Sequence, residues 1–153
     1  MSHSLDYKQT QFGTVVVVSL LLTGLLLVGL GLALSDRVII VGGPLLTAVA
    51  VLLFHSLTIV IDADYLRFWF GVGLIQKRIP LAEIREAKPV RNSVIHGWGI
   101  HRTAEGWVYN VSGWEAVEIT LANGKRLRLG TPQPNLLARK LRPGSRAASG
   151  QAS

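Results

Sequence analysis

From Thr14 to Leu34 the chain reads TVVVVSLLLTGLLLVGLGLAL, with no charged residue and no polar stripe. Apolar residues fall on every face of the helix this pattern predicts, so no side is left for water. At about 1.5 Å per residue such a helix covers about 31 Å, the thickness of a hydrocarbon core. A polar break, Ser35-Asp36-Arg37, is followed by VIIVGGPLLTAVAVLLF from Val38 to Phe54, again uncharged and extendable through Ser56. Pro44 removes one backbone hydrogen bond, which a membrane helix packed on a neighbour tolerates. The glycines in both runs suit close helix packing. Two spans, about 14–34 and 38–56, with so short a connection predict a transmembrane hairpin whose ends lie on one side. A cleaved secretory signal ending near Ala33-Leu34-Ser35 fits poorly. The apolar run exceeds the usual ~7–15 residues, Asp6 stands beside Lys8 in the leader, and a second apolar run follows.

After residue 56 the period changes to two. Leu57, Ile59 and Ile61 alternate with Thr58, Val60 and Asp62; past a turn at Asp62-Ala63-Asp64, Leu66, Phe68 and Phe70 alternate with Tyr65, Arg67 and Trp69. Further strands are predicted over Ile75–Ile79, Arg85–Arg91, Trp98–Thr103 and Trp107–Tyr109. A last hairpin runs from Val117 to Leu129 through a two-residue turn at Asn123-Gly124. Thr131 and Pro132 suit the cap and first position of a helix that buries Leu136, Leu137 and Leu141. The order predicts an α+β membrane protein: a tail over 1–12, the hairpin over 13–56, a domain of about seven short strands with a C-terminal helix over 57–141, and a disordered tail over 142–153.

Composition sharpens this division. Fourteen of the sixteen Lys and Arg residues and seven of the nine acids lie beyond residue 57, so that part carries the entire formal charge of +7. Basic residues flanking the spans outnumber the single Arg37 in the connection, which predicts that both termini are cytoplasmic and the protein a multi-pass component of the cell membrane. A basic domain at a membrane is drawn to anionic lipid by roughly 1 kcal/mol per well-placed cation. The chain has no cysteine, which excludes disulfides, thiolate catalysis and cysteine-ligated zinc.

Several motifs together resemble the bacterial pleckstrin-homology-like (PH-like) membrane proteins: Phe70-Gly71-Val72-Gly73 with Ile79-Pro80-Leu81 and Ile84, then Gly97-Trp98-Gly99-Ile100, Tyr109-Asn110-Val111-Ser112-Gly113 and Gly130-Thr131-Pro132. The resemblance covers about two thirds of the chain. It implies a seven-stranded antiparallel split barrel with a C-terminal helix behind two spans, and no enzymatic activity. It also implies that a phosphoinositide site would place basic residues around the first hairpin loop. That loop is Asp62-Ala63-Asp64 here, whose carboxylates repel a phosphorylated headgroup.

The remaining chemistry is sparse. His96 and His101 lack the further converging ligands a metal site needs. Ser112 and Ser93 have no His/Asp context for nucleophilic catalysis. Gly71-Val72-Gly73 is not followed by a helix, so it does not read as a nucleotide loop. No cofactor is predicted. The cations are scattered in runs of at most two, with no recognisable nucleic-acid motif, so nucleic acid is not an expected partner. Lys77, Arg78 and Arg91 are the candidate ligand-binding patch, and Trp69 the candidate membrane-interface residue. The expected partners are the lipid bilayer, anionic lipid, and a protein docking on a groove or sheet edge. The alternative is a structural subunit assembled through its glycine-bearing spans.

Overall fold

A computed structural model describes residues 6–92 and 98–143. His3, Ser93, His96, Gly97 and the tail over 144–153 lie outside the described residues. In chain order the elements are β1 (Tyr7–Phe12), α1 (Thr14–Leu34), α2 (Arg37–Phe54), β2 (Ser56–Ile61), β3 (Tyr65–Phe70), β4 (Ile75–Pro80), a short 3₁₀ turn (Leu81–Glu83), β5 (Ile84–Arg91), β6 (Gly99–Thr103), β7 (Gly106–Asn110), β8 (Glu115–Leu121), β9 (Arg126–Gly130) and α3 (Pro134–Leu141).

Helices α1 and α2 form the expected hairpin, and each is long and apolar enough to cross a membrane. Only 11% of each apolar window is buried within the molecule, unlike the core helices of a soluble protein. The connection works through two residues. Ser35 adopts a left-handed conformation that ends α1, and the Asp36 carboxylate accepts from the Val38 and Ile39 amides to cap α2. Small residues let the backbones approach: a methyl added to Gly24 would stand 3.1 Å from Thr47, and one on Gly31 2.7 Å from Ile40. Helix α2 stops at Phe54, because Ser56 already belongs to β2.

The leader, read above as a tail, supplies a strand. Strand β1 pairs antiparallel with β2, from Tyr7 opposite Ile61 to Phe12 opposite Ser56. The helical hairpin is therefore an insertion within a β-hairpin, with only Gly13 and His55 between the strands and the helices. The Gly13 amide donates to the His55 carbonyl at 2.7 Å, extending the ladder to the helix ends.

Two sheets form among the described residues, with strand orders β1-β2-β3-β4 and β5-β8-β9-β7-β6. This corrects the expectation of a single seven-stranded antiparallel barrel. There are nine strands in a four-stranded and a five-stranded sheet, and β7 pairs parallel to β9. The unforeseen strand is β1, which the sequence places in the tail, while the two strands expected on either side of Glu105-Gly106 are both present as β6 and β7. The parallel pair has a local cause. The buried Asn110 side chain donates to the Gly113 carbonyl and accepts from the Ser112 amide, holding a wide loop after β7. Strand β8 then returns one position away, leaving room for β9 between them.

The inner faces meet in one core, with Leu57, Ile59, Ile61, Leu66, Phe68 and Phe70 opposite Val117, Ile119, Leu127 and Leu129. Strand β2 departs from the expected alternation: Thr58 and Val60 on its outer face are buried too. As a central strand it is flanked on both sides, Thr58 by Thr10 and Trp69 and Val60 by Lys8 and Arg67. Helix α3 begins at Pro134, later than expected, because Thr131 is used elsewhere. Its hydroxyl donates to Gln9 of β1 at 2.7 Å and accepts from the Gln133 amide. The helix buries Leu137, Ala138 and Leu141 against β5 and β8. The last hairpin turns through Ala122-Asn123-Gly124, with only Gly124 at positive φ, so it is a three-residue rather than a two-residue loop.

Candidate functional site

The site is built outward from the end of the β domain where the helices attach. There the β3–β4 turn rests on the last turn of α2. Gly71 has φ +45°, and a Cβ on it would stand 2.1 Å from the Leu52 carbonyl oxygen. Its amide donates to the Ser56 carbonyl at 2.8 Å. Gln11 of β1 donates across to the Ser112 carbonyl at 2.8 Å, which brings the β7–β8 loop of the second sheet to the base of α1. Phe12, Val72 and Leu74 are exposed around this end, with Leu74 at 77%. Trp114 in the β7–β8 loop packs on Trp98 with ring centroids 5.1 Å apart.

The outer face of the first sheet rises from that end in rows. Thr10, Thr58, Trp69 and Gln76 form one row across the four strands, and Lys8, Val60, Arg67 and Arg78 another, farther out. Strand rise places the Trp69 row about 3 Å and the Arg67 row about 10 Å beyond Phe70 and Ile75. Arg67 and Arg78 face each other directly, an arrangement that destabilises a sheet unless the charges have partners. Each has one: Arg67 pairs with Asp62 at 3.1 Å, and the Arg78 guanidinium lies 3.4 Å from the Tyr65 ring centroid.

Of the candidate residues, Lys77 and Arg78 are brought together. They line one cavity of about 400 Å³ with Arg67, Trp69 and Gln76. Lys77 also reaches the inner side of the sheet, donating to the Tyr109 hydroxyl at 2.8 Å. Arg91 is not part of this cluster. It lies at the end of β5 opposite Glu115, in a separate pocket with Gln11, Trp114 and Thr131. Trp69 stands beside the β3–β4 turn, and a methyl on Gly73 would lie 3.8 Å from its ring.

The acidic first loop lies at the far end of β2 and β3 from the helices. Strand β2 is six residues long, from Ser56 to Ile61, so Asp62 is about 20 Å from the helix attachment. Burial pushes the Asp62 carboxyl up, but the Tyr65 and Asp64 amides and the nearby Arg67 and Arg78 charges outweigh it and hold the group below its ordinary range.

Arg67 and Lys8 belong to the basic face although the sequence reading did not single them out. Arg67 carried a signal, since Tyr65, Arg67 and Trp69 share a period-two face. Lys8 carried none while β1 was unrecognised, and the Trp98–Trp114 pair follows only from the register of the second sheet. Among the described residues, no three His, Asp or Glu side chains converge as a metal ion requires. Compared with known proteins, the chain matches no family model, no curated sequence and no solved structure.

Proposed function

We propose that the chain is a non-enzymatic, membrane-anchored PH-like module. It holds its N-terminus and β domain on the cytoplasmic side of the cell membrane and binds the anionic surface of its own bilayer. In this role it serves as an organising or regulatory subunit for a membrane partner. The observation that carries the reading is the insertion of the helical hairpin between β1 and β2. With only Gly13 and His55 as connections and Gly71 wedged against Leu52, the domain has no tether on which to swing. The bilayer's polar layer adds about 5–7 Å to each side of the hydrocarbon. Trp69 and Gln76 then stand within that layer and Lys8, Arg67 and Arg78 at its outer margin, where each cation gains roughly 1 kcal/mol from anionic lipid. The acidic Asp62 loop points away from the headgroups and does not oppose them.

The test uses the full chain in bilayer discs of phosphatidylcholine and phosphatidylglycerol, followed by mild extraction and measurement of the lipid retained. Phosphatidylglycerol enriched over its bulk share, and lost in an Arg67→Glu/Arg78→Glu variant or in high salt, supports the reading. Retention at the bulk ratio removes it.

A structural subunit is the second reading, favoured by one observation. A methyl on Gly29 or Gly42 meets no described atom within 4 Å, so both glycines face outward, available to another helix.

A further inference from the structure

Strand β4 is an edge of the first sheet and β6 an edge of the second. Between these edges the two sheets are not joined, and the gap holds a groove of about 240 Å³ lined by Phe68, Phe70, Ile75, Ile100, Trp107 and Tyr109, together with Gln76 and Lys77. Gln76 and Lys77 also line the cationic cavity of Arg67, Trp69 and Arg78. A polar cavity and an apolar groove therefore share one wall. The lower end of the groove, at Phe70 and Ile75, adjoins the turn that carries exposed Val72 and Leu74 and rests on α2.

We propose that these two pockets together hold one anionic phospholipid drawn partly out of the bilayer. Its phosphate lies against Arg67 and Arg78 on the outer face, and the upper part of one acyl chain passes over the edge of β4 beside Lys77 into the groove before continuing down past Leu74 into the hydrocarbon. The inference rests on the membrane-anchored reading above. Three features select this occupant over an added peptide strand. The groove is smaller than the ~300–1,000 Å³ usual for a drug-sized ligand, which suits a single hydrocarbon chain. The Lys77 side chain crosses to Tyr109, and a lysine on an edge strand obstructs pairing with another strand. The order of polar and apolar surface matches an amphiphile, with cations beside the headgroup and hydrocarbon contact continuous with the membrane.

Trp107 reports on the groove. It lies on β7 four residues from Val111, whose loop meets the base of α1, so it stands about 13 Å along the strand and outside the headgroup layer. The experiment places the full chain in bilayer discs containing phosphatidylglycerol brominated on its acyl chains near the ester. Trp107 fluorescence is taken as the difference between the chain and its Trp107→Phe variant. The expected result is quenching of most of that emission by brominated phosphatidylglycerol and little by brominated phosphatidylcholine. Filling the groove with Ile75→Phe, or separately with Ile100→Phe, should abolish that quenching. Equal quenching by both lipids overturns the proposal, since it reports mere proximity to the bilayer. Enrichment without quenching also overturns it and leaves surface binding intact, whereas loss of both removes the membrane-surface reading as well. A photoreactive residue at position 100 that captures a polypeptide rather than lipid assigns the groove to a strand and overturns the lipid.

Discussion

Phe12 and Ser56 are paired across β1 and β2, although the whole helical hairpin lies between them in sequence. The β domain is thus split by the hairpin, and its first strand precedes the anchor. Replacing residues 14–54 by Asn-Gly should give a soluble, folded domain, because Gly13 and His55 already face each other as the last pair of a hairpin and Asn-Gly suits a two-residue turn. A fragment beginning at residue 57 should fail, since it bares the edge of the fully buried β2 and strands the partners of Gln9 and Gln11. Size-exclusion chromatography and circular dichroism check this: a monodisperse, cooperatively melting excision variant is expected beside an aggregating fragment.

Gly71→Ala should loosen the domain from its anchor. The positive φ alone costs about 1–3 kcal/mol in a residue with a side chain. The added methyl also collides with the Leu52 carbonyl, a backbone atom that cannot rotate away. A lowered melting temperature in detergent is expected. Spin labels on the domain and on α1 should show a broader distance distribution than in the parent. Gly73→Ala, whose methyl only approaches the Trp69 ring at 3.8 Å, should affect those distances far less.

The spans were legible because an uninterrupted apolar run leaves a helix no polar face, whatever surrounds it. The hairpins at Leu57–Phe70 and Val117–Leu129 were legible because alternation and turn residues are local. Strand β1 was not: Tyr7-Lys8-Gln9-Thr10-Gln11 carries almost no apolar alternation, and it is a strand because Gln9 and Gln11 bond to Thr131 and Ser112 across the domain. The parallel β7–β9 pair was hidden for the same reason, since it depends on the loop that Asn110 holds. In the candidate site, Lys77 and Arg78 were adjacent in sequence and stayed together. Arg91 was grouped with them by charge alone and stands on another sheet.

Glu118 should dominate the acid stability of the domain. It is buried at 4% exposure on β8, ion-paired with Lys88 at 3.3 Å, and accepts from Arg128 Nε at 3.0 Å and Nη2 at 2.8 Å. Glu105 binds the same Arg128 nitrogen. Burial pushes the Glu118 carboxyl up, but the hydrogen bonds and charges of Arg128 and Lys88 outweigh it and hold the group below its ordinary value of 4.5. Its stabilisation is therefore present above that value and lost as pH falls through the lowered one. Glu118→Gln leaves Arg128 with only the half-exposed Glu105 as a carboxylate partner. It should cost about 2–4 kcal/mol at neutral pH, toward the low side of a broken buried pair because Lys88 is half exposed. Melting curves from neutral to acid pH should converge for the two proteins, the parent losing the greater share.

The helical hairpin separates the two functional readings. Gly24 faces Thr47 inside the hairpin, where an added methyl comes within 3.1 Å, so Gly24→Leu should drive α1 from α2 and lower the melting temperature in detergent. Gly29 and Gly42 face open space among the described residues, so Gly29→Leu and Gly42→Leu should leave the melt of the isolated chain unchanged. If the domain is what recognises lipid and partner, both outward variants should also retain the parent's phosphatidylglycerol enrichment and co-purifying proteins. Small outward residues matter only where another helix approaches, since in lipid there is no hydrophobic drive to bring helices together and packing must supply it. Loss of a co-purifying membrane protein in Gly29→Leu or Gly42→Leu, with the melt and lipid enrichment intact, would place the working surface on the spans and make the chain a structural subunit.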